Sequence, residues 1–141
     1  MSVYLDASVL VSFFVNDSLS TKADRFIESR IGAQMIVSDF AVAEFSAVIG
    51  RKVRTGELAP EDASAVLANF DSWSARVAEH AETSTQDIAL AIGFLRRTDI
   101  SLRAPDAINI AIVQRLRATL ATFDERMARD ARALGVAIAE A

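Results

Sequence analysis

Four acidic residues occupy positions in the sequence from which a carboxylate could take part in chemistry. Asp6 ends a β-prone run at residues 3–5, and Asp124 ends another at residues 119–123. In open parallel sheets, the carboxyl ends of the strands border the crevice in which ligands bind. We therefore expect the carboxylates of Asp6 and Asp124 to face the same crevice.

The other two acidic residues lie on the apolar faces of predicted helices. Glu44 has Phe40 four residues before it and Val48 four residues after it, so its carboxylate belongs to the apolar stripe. Asp106 lies in the first turn of its helix and shares the core-facing side with Asn109. A carboxylate buried without a partner is costly, so both positions call for an explanation.

Carboxylates gathered at one place favour a bound divalent cation. Like charges at low dielectric repel and raise one another's pKa, and a hard cation removes that penalty. The chain has no Cys and a single His, so its oxygen ligands indicate Mg²⁺ or Mn²⁺ and not Zn²⁺. Such an ion polarises a phosphoryl oxygen and activates water for in-line attack. The residues thus predict metal-dependent hydrolysis of a phosphodiester.

Length and composition limit the class of protein. The chain has 141 residues, of which 52% are hydrophobic and 24% charged, so we expect one domain, residues 1–141, with its own core. The absence of Cys excludes a disulfide scaffold and favours a reducing compartment, for which the cytoplasm is the expectation. Neither a secretory leader nor a membrane-spanning segment is predicted.

The overall charge of the chain does not favour binding to nucleic acid. The net charge of −4 provides no general field for a polyanion, so a role on nucleic acid needs local positive charge or bound cations. Arg51, Lys52 and Arg54 form a basic cluster at the end of a predicted helix. Interaction with the helix C-terminus and contact with an RNA backbone both explain this cluster, and the sequence leaves the choice open.

The elements that must position the four acids alternate between strand and helix. Strands are predicted at residues 3–5, 35–37, 76–78, 119–123 and 136–138, and helices at 8–14, 19–30, 39–54, 60–73, 88–95, 105–117 and 125–134. This alternation implies βαβ units and a mostly parallel sheet with helices on both faces. The predicted fold class is α/β, a three-layer α/β/α sandwich.

Each acidic residue also has a purely structural interpretation. Asp6 and Asp124 could be helix N-caps, Glu44 could pair with an outside Arg, and Asp106 could compensate a helix dipole. Asp39 is interpreted as the N-cap of the long third helix. Of the remaining residues with distinctive chemistry, His80 is expected in a loop or on the surface, and Trp73 in the core or on a partner-facing patch.

Short stretches around the acidic residues occur in an order that resembles a PIN domain, most closely a ribonuclease toxin of the VapC type. The similarity extends over essentially the whole chain. The stretches that carry it are Tyr4–Ser8, Ala43–Phe45, Arg103–Ala107, Ala121–Asp124 and Ala133–Val136.

The resemblance implies a metal-dependent endoribonuclease that uses Mg²⁺ or Mn²⁺. Its catalytic and metal-binding positions map onto Asp6, Glu44, Asp106 and Asp124. It further implies an RNA substrate, a small cognate antitoxin that holds the enzyme inactive, and a homodimer.

Three polar residues are expected to support these acids. Ser8 matches a family hydroxyl that helps to orient the first carboxylate, and Thr122 lies within the fourth matching stretch. Asn109 stands where many relatives have His or another polar residue. Its amide can hydrogen-bond a water or a phosphate but cannot titrate.

Other functions remain as alternatives to catalysis on RNA. A PIN-like module that binds RNA or protein without cutting it would use the same fold. A phospho-accepting receiver domain fits poorly, because it needs a lysine late in the chain and the only lysines are Lys22 and Lys52. An aspartyl phosphatase would have Asp two residues after Asp6, where Ser8 stands, and no P-loop sequence occurs.

Overall fold

The structure is a computed structural model, and it describes residues 1–139. Strands and helices alternate along these residues, as the sequence predicts. The elements are β1 (Ser2–Leu5), α1 (Ala7–Phe14), α2 (Ser20–Ser29), β2 (Gln34–Ser38), α3 (Asp39–Arg54), α4 (Pro60–Val77), β3 (Ala78–Ala81), α5 (Thr85–Leu95), α6 (Ala104–Leu116), β4 (Thr119–Ala121) and α7 (Glu125–Ala133).

The four strands form one parallel sheet in the order β3-β2-β1-β4. The central strand β1 places Val3 opposite Met35 of β2 on one side and opposite Thr119 of β4 on the other. Strands buried on both faces of a parallel sheet are expected to be continuously apolar, and β1 and β2 fit that rule. The predicted α/β fold is confirmed.

Helices cover both faces of the sheet and give two separate cores. Successive side chains of a strand point to opposite faces. Accordingly Val3 and Leu5 pack with α1 to α4, whereas Tyr4 packs with α5 to α7. On the first face, the rings of Phe45 and Phe70 stack with centroids 4.6 Å apart, and Trp73 packs edge-on against Phe14. Trp73 thus belongs to the edge of this core.

The chain reverses its direction across the sheet between β1 and β4. After β1 the chain enters α1 on one face, and after β4 it enters α7 on the opposite face. Two neighbouring parallel strands whose helices leave to opposite faces open a crevice at their carboxyl ends, which is the usual ligand site of such sheets. Asp6 follows β1 at this crevice, and Asp124 follows β4 after two connecting residues.

Two predicted strands differ from those observed. The third strand, predicted at residues 76–78, is wrong in place: α4 continues through Val77, and β3 covers Ala78–Ala81. The last, predicted at residues 136–138, reduces to a single parallel bridge between Leu120 and Ile138. Both lie at the edges of the sheet, where a strand has only one neighbour to hold it.

The predicted N-cap of the third helix is also wrong by one residue. Ser38 caps α3, because its hydroxyl accepts a hydrogen bond from the Ala41 amide. Asp39 is the first helical residue, and its carboxylate accepts hydrogen bonds from the amide and hydroxyl of Thr83. Asp39 therefore joins α3 to the loop before α5.

Other sequence features are placed as expected or nearly so. The predicted helix at residues 88–95 is present as α5, which begins at Thr85 and has a capping box formed by Ser84 and Asp87. His80 is exposed, but it lies on β3 and its ring contacts the Ser74 hydroxyl at 3.1 Å. No helix within residues 1–139 has the length and apolar character needed to cross a bilayer.

Candidate active site

Asp6 is a buried carboxylate, 5% exposed, that both caps α1 and faces the crevice between β1 and β4. Its Oδ1 accepts hydrogen bonds from the Ser8 amide at 3.0 Å, the Ser8 hydroxyl at 2.6 Å and the Val9 amide at 3.2 Å. Its Oδ2 accepts one from the Thr122 hydroxyl at 2.6 Å. The structural interpretation of Asp6 as a helix cap is therefore confirmed, and its functional role stays a prediction.

The charge of Asp6 is not balanced by the fold. Burial raises its pKa from 3.8 to about 6, although the hydrogen bonds from Ser8 and Thr122 act in the opposite direction. No Lys or Arg among the described residues forms an ion pair with Asp6. Neutral donors alone therefore support this carboxylate.

Ser8 and Thr122 link the two strand ends that carry Asp6 and Asp124. The Ser8 hydroxyl accepts a hydrogen bond from the Phe123 amide at 2.9 Å, and the Thr122 hydroxyl accepts one from the Asp124 amide at 3.0 Å. The residues between β4 and α7 thus bond to side chains and not to the sheet, which explains why β4 ends at Ala121. Each hydroxyl therefore joins the Asp6 carboxylate to the backbone that leads from β4 to α7.

Asp124 caps α7 in the way that Asp6 caps α1. Its Oδ1 accepts hydrogen bonds from the amides of Arg126 at 3.0 Å and Met127 at 3.1 Å. Each of these two acids therefore stands at the N-terminus of a helix, where the backbone amides and the helix dipole favour a negative charge. The two helices hold their carboxylates at the same edge of the sheet.

Glu44 approaches this edge from the middle of α3 and is half-buried. Its Oε1 accepts a hydrogen bond from the side-chain amide of Asn109 at 2.6 Å. Burial raises the pKa of Glu44, the hydrogen bond from Asn109 lowers it, and the charges of Asp6 and Asp106 raise it further. Glu44 therefore lies within electrostatic reach of both acids.

Asp106 completes the group from the first turn of α6. Its side chain is 14% exposed, and its Oδ2 lies 3.5 Å from Nε of Arg103. Burial raises the pKa of Asp106, the Arg103 guanidinium lowers it, and the charge of Asp124 raises it again, with a net upward direction. Because the Arg103 side chain is 67% exposed, solvent screens this pair and it compensates the carboxylate only in part.

The structure thus brings the four predicted acids into one electrostatic group. Asp6 and Asp106 both act on Glu44, and Asp124 acts on Asp106. Among the described residues, Oε2 of Glu44, Oδ1 of Asp106 and Oδ2 of Asp124 accept no hydrogen bond, so oxygen donors remain for a cation.

The acids do not, however, form a finished metal centre. Within residues 1–139, no three Asp, Glu or His side chains are gathered into a ready ligand set. The donor chemistry and the mutual repulsion fit a hard divalent ion.

A comparison of the sequence with protein families identifies this architecture. The family model of the PIN domain matches residues 3–133. The chain belongs to the PIN domain family. Among curated proteins, no sequence matches it. The resemblance inferred from the motifs around the acidic residues is therefore confirmed at the level of the family.

Solved PIN-domain structures share the fold over nearly the whole chain. VapC20 from Mycobacterium tuberculosis, a sarcin-ricin-loop-cleaving toxin, has a TM-score of 0.74 and 17% identity and covers 99% of each chain. DNA-bound VapBC from Salmonella typhimurium has a TM-score of 0.72 and 19% identity, covering 99% of this chain and 97% of that one. A toxin-antitoxin complex from Klebsiella pneumoniae has a TM-score of 0.58 and 17% identity, covering 85% and 84%. At these identities the likeness establishes the fold.

Two residues that the sequence did not single out are connected to this site through Asn109. Tyr4 and Ser38 are buried at the ends of neighbouring strands, and the Tyr4 hydroxyl bonds to both Ser38 and Asn109. Tyr4 is the only tyrosine of the chain and interrupts an apolar strand with a hydroxyl, which is the one feature that could have singled it out. Asn109 is buried as well, and its amide bonds to protein groups.

Proposed function

We propose that this PIN domain is a metal-dependent endoribonuclease that hydrolyses RNA phosphodiester bonds as the toxin of a toxin-antitoxin pair. PIN-domain toxins are generally ribonucleases, and PIN-domain nucleases typically use divalent metal ions. The observation that carries the proposal is the position of Asp6 and Asp124 after the neighbouring strands β1 and β4, with Glu44 and Asp106 near enough for their charges to act on one another and on these acids.

Mg²⁺ or Mn²⁺ is the cofactor that this donor set supports. When bound, the ion supplies Lewis-acid polarisation of a phosphoryl oxygen and offsets the negative charge that the phosphodiester brings. Asp6 and Asp124 would hold it from the strand ends, and Glu44 and Asp106 from α3 and α6. Oxygen-only ligation suits these hard ions.

The surrounding residues prepare the site before substrate arrives. Ser8 and Thr122 fix both oxygens of Asp6, and Asn109 fixes one oxygen of Glu44. Carboxylates held in this way need little rearrangement at the moment of reaction, which is how preorganised sites stabilise a transition state. Water attacks phosphorus and loses a proton to solvent, the bond from phosphorus to the RNA oxygen on the far side breaks, and that oxygen takes up a proton from solvent.

A groove of about 440 Å³ between α1 and α3 reaches one of the acids. Ser8, Asp124, Arg51 and Lys52 are among the residues that line it. These basic side chains supply the local positive charge that an acidic protein needs in order to hold a polyanion. We infer that Arg51 and Lys52 contact the RNA backbone as it enters the site. The proposed location of the reaction is the cytoplasm.

A protein antitoxin and a second copy of the chain are the proposed partners. The antitoxin is supported by the shared fold with VapBC and with the toxin-antitoxin complex. The homodimer is supported by an apolar stripe on α5, where Ile88, Ile92 and Leu95 are exposed at helical spacing and Ile92 is 44% exposed.

The homodimer has a direct test with a matched control. Ile92→Lys should give a monomer at concentrations where the wild type is a dimer in light scattering. Ile31→Lys, at a residue that is 81% exposed in the turn after α2, should leave the dimer intact. A monomeric wild type would remove the dimer from the proposal.

The enzyme proposal is tested with antitoxin-free protein, RNA and Mn²⁺. Wild-type protein should cleave RNA, and Asp6→Asn should lower the rate by about 10³-fold, because several kcal/mol of charge stabilisation are lost. Asp39→Asn removes an acid that also follows a strand but bonds only to Thr83, and it should keep the wild-type rate. Equal cleavage by wild type and Asp6→Asn would refute the assignment, and RNA binding without cleavage would favour the non-catalytic module.

A further inference from the structure

A chain of buried hydrogen bonds connects the start of α3 to Glu44 in the middle of the same helix. The Tyr4 hydroxyl lies 2.6 Å from the Ser38 hydroxyl and 2.5 Å from Oδ1 of Asn109. The Asn109 amide nitrogen lies 2.6 Å from Glu44 and 3.0 Å from the carbonyl oxygen of Pro105. Tyr4, Ser38 and Asn109 are each at most 2% exposed, so water does not compete for these bonds.

The partners fix the direction of every bond in this chain. The carbonyl oxygen of Pro105 only accepts, so the Asn109 nitrogen must face it and Glu44, and Oδ1 must face Tyr4. The single proton of Tyr4 therefore goes to Asn109. The Ser38 hydroxyl must then donate to Tyr4, which leaves its lone pairs to accept the Ala41 amide at 3.0 Å.

This direction matters because an asparagine amide has two nearly isosteric orientations. If Asn109 turned over, its carbonyl oxygen would face Oε1 of Glu44 and repel it. The carbonyl oxygen would also face the Pro105 carbonyl oxygen, and Tyr4 would lose the acceptor that Oδ1 provides and would have to donate to Ser38 instead. Each donor in the chain also polarises the next, so the bond to Glu44 is stronger than an isolated amide would provide.

We propose that Ser38, Tyr4 and Asn109 form a one-directional hydrogen-bond relay that holds the Glu44 carboxylate in place for a divalent cation. Tyr4 and Ser38 are positioning residues, since they act on Glu44 only through Asn109. The relay makes the rigid sheet, through β1 and β2, set the position of a carboxylate that stands on a helix. The role in cation binding depends on the proposed function, whereas the orientation of Glu44 does not.

The first test measures Mn²⁺ affinity of the full-length protein by calorimetry. Tyr4→Phe removes one hydroxyl and keeps the ring that fills the core, and it should weaken Mn²⁺ binding about tenfold, as losses of outer-shell partners do. Ser74→Ala deletes another buried hydroxyl, on α4 and bonded to His80, and should keep wild-type affinity. Unchanged affinity in Tyr4→Phe would overturn the role in cation binding.

A second pair of variants separates the relay from helix capping. Ser38→Ala removes both the cap of α3 and the donor to Tyr4, whereas Ser84→Ala removes only the cap of α5. Both variants should have a lower melting temperature than the wild type, but only Ser38→Ala should weaken Mn²⁺ binding. The loss of affinity should be smaller than in Tyr4→Phe, because Tyr4 can still donate to Asn109. Equal affinities in the two variants would mean that Ser38 acts as a cap alone.

A metal-free measurement keeps the relay testable if the function proposal fails. In the nuclear magnetic resonance spectrum of the apo protein, Tyr4→Phe should shift the Glu44 carboxyl carbon and the Asn109 side-chain amide. The Asp87 carboxyl carbon, on the other side of α6, should stay in place. Wild-type protein that binds no Mn²⁺ would overturn the proposed function, and an unmoved Glu44 resonance would overturn the relay.

Discussion

Two buried aspartates at the N-termini of different helices differ in how their charge is balanced. Asp87, with no exposed side-chain surface, receives two bonds from the Arg115 guanidinium at 2.7 and 3.0 Å. Burial alone would raise its pKa, but the bonds from Arg115 and Ser84 outweigh burial and hold the pKa below its ordinary value. Asp6 receives only neutral donors, and its pKa rises to about 6. The fold itself supplies the cation for Asp87, and among the described residues none forms an ion pair with Asp6.

The same contrast distinguishes the arginines that accompany the acids. Arg115 also donates to the carbonyl oxygen of Glu82 at 2.9 Å, so it ties α6 to the start of α5. Arg103 approaches Asp106 only at 3.5 Å and with most of its side chain in solvent. A fixed, bidentate arginine indicates structure, whereas a loose, exposed one can move away when a cation or a phosphate arrives.

The largest expected loss of stability comes from breaking the ion pair between Asp87 and Arg115. Arg115→Met should destabilise the protein by about 3–5 kcal/mol, because it leaves the Asp87 carboxylate buried without its cation. Arg103→Met, at the exposed arginine beside Asp106, should cost less than about 1 kcal/mol. Urea denaturation of both variants measures the difference. Equal losses would remove the distinction between a structural and a functional carboxylate.

The pH dependence of stability should reveal the raised pKa of Asp6. Its folded-state pKa is about 6 and its ordinary value 3.8, so the folded protein binds this proton more tightly than the unfolded chain. The resulting stabilisation is complete below about pH 4 and is lost as the pH rises through about 6, by on the order of 2–3 kcal/mol.

The measurement is urea denaturation in metal-free buffer across this pH range. Subtracting the curve of Asp6→Asn isolates the carboxyl, since asparagine is an equally good N-cap. If the difference in unfolding free energy between wild type and Asp6→Asn did not change with pH, the pKa of Asp6 would not be raised, and some other group would compensate its charge.

Divalent ions should stabilise the protein only by binding at the four acids, Asp6, Glu44, Asp106 and Asp124. At about 100 times its dissociation constant, Mn²⁺ should add about 2.7 kcal/mol to the free energy of unfolding at neutral pH. The gain should disappear in Asp6→Asn and persist in Asp39→Asn, which calorimetric melting would detect. Equal stabilisation of both variants would place the ion elsewhere on the protein.

The smallest effect is expected at Asp106 without metal. Asp106→Asn removes one of the mutually repelling charges, so the metal-free protein should keep its melting temperature within the equivalent of about 0.5 kcal/mol or gain slightly. The neutral variant should nevertheless lose Mn²⁺ stabilisation. A large loss of stability in metal-free buffer would instead favour compensation of the α6 dipole as the role of Asp106.

Much of the site could be predicted because its residues stand at the ends of regular elements. Asp6 and Asp124 follow strands, and the rule that parallel strands end at a common crevice brings them together without further information. Glu44 was identifiable from its position on an apolar helical stripe. In each case a local pattern fixes the direction of the side chain, and the fold class supplies the rest.

The remaining features depend on contacts between distant parts of the chain. Tyr4 and Asn109 are 105 positions apart, and nothing local indicates that their side chains meet. Ser38 and Asp39 are both good N-caps, and Asp39 yields that role because Thr83 binds its carboxylate. The strand β3 was misplaced because an edge strand with exposed Glu79 has little of the apolar pattern that identifies a buried strand.

A crystal of the antitoxin-free protein soaked in Mn²⁺ would locate the bound ion. We expect an anomalous density peak at the crevice between β1 and β4, within coordination distance of oxygens from Asp6, Asp124 and at least one of Glu44 and Asp106. The Asp87–Arg115 pair should carry no such peak. A protein whose crevice stays free of metal, with Mn²⁺ bound elsewhere or nowhere, would contradict the claim that these four carboxylates await a cation.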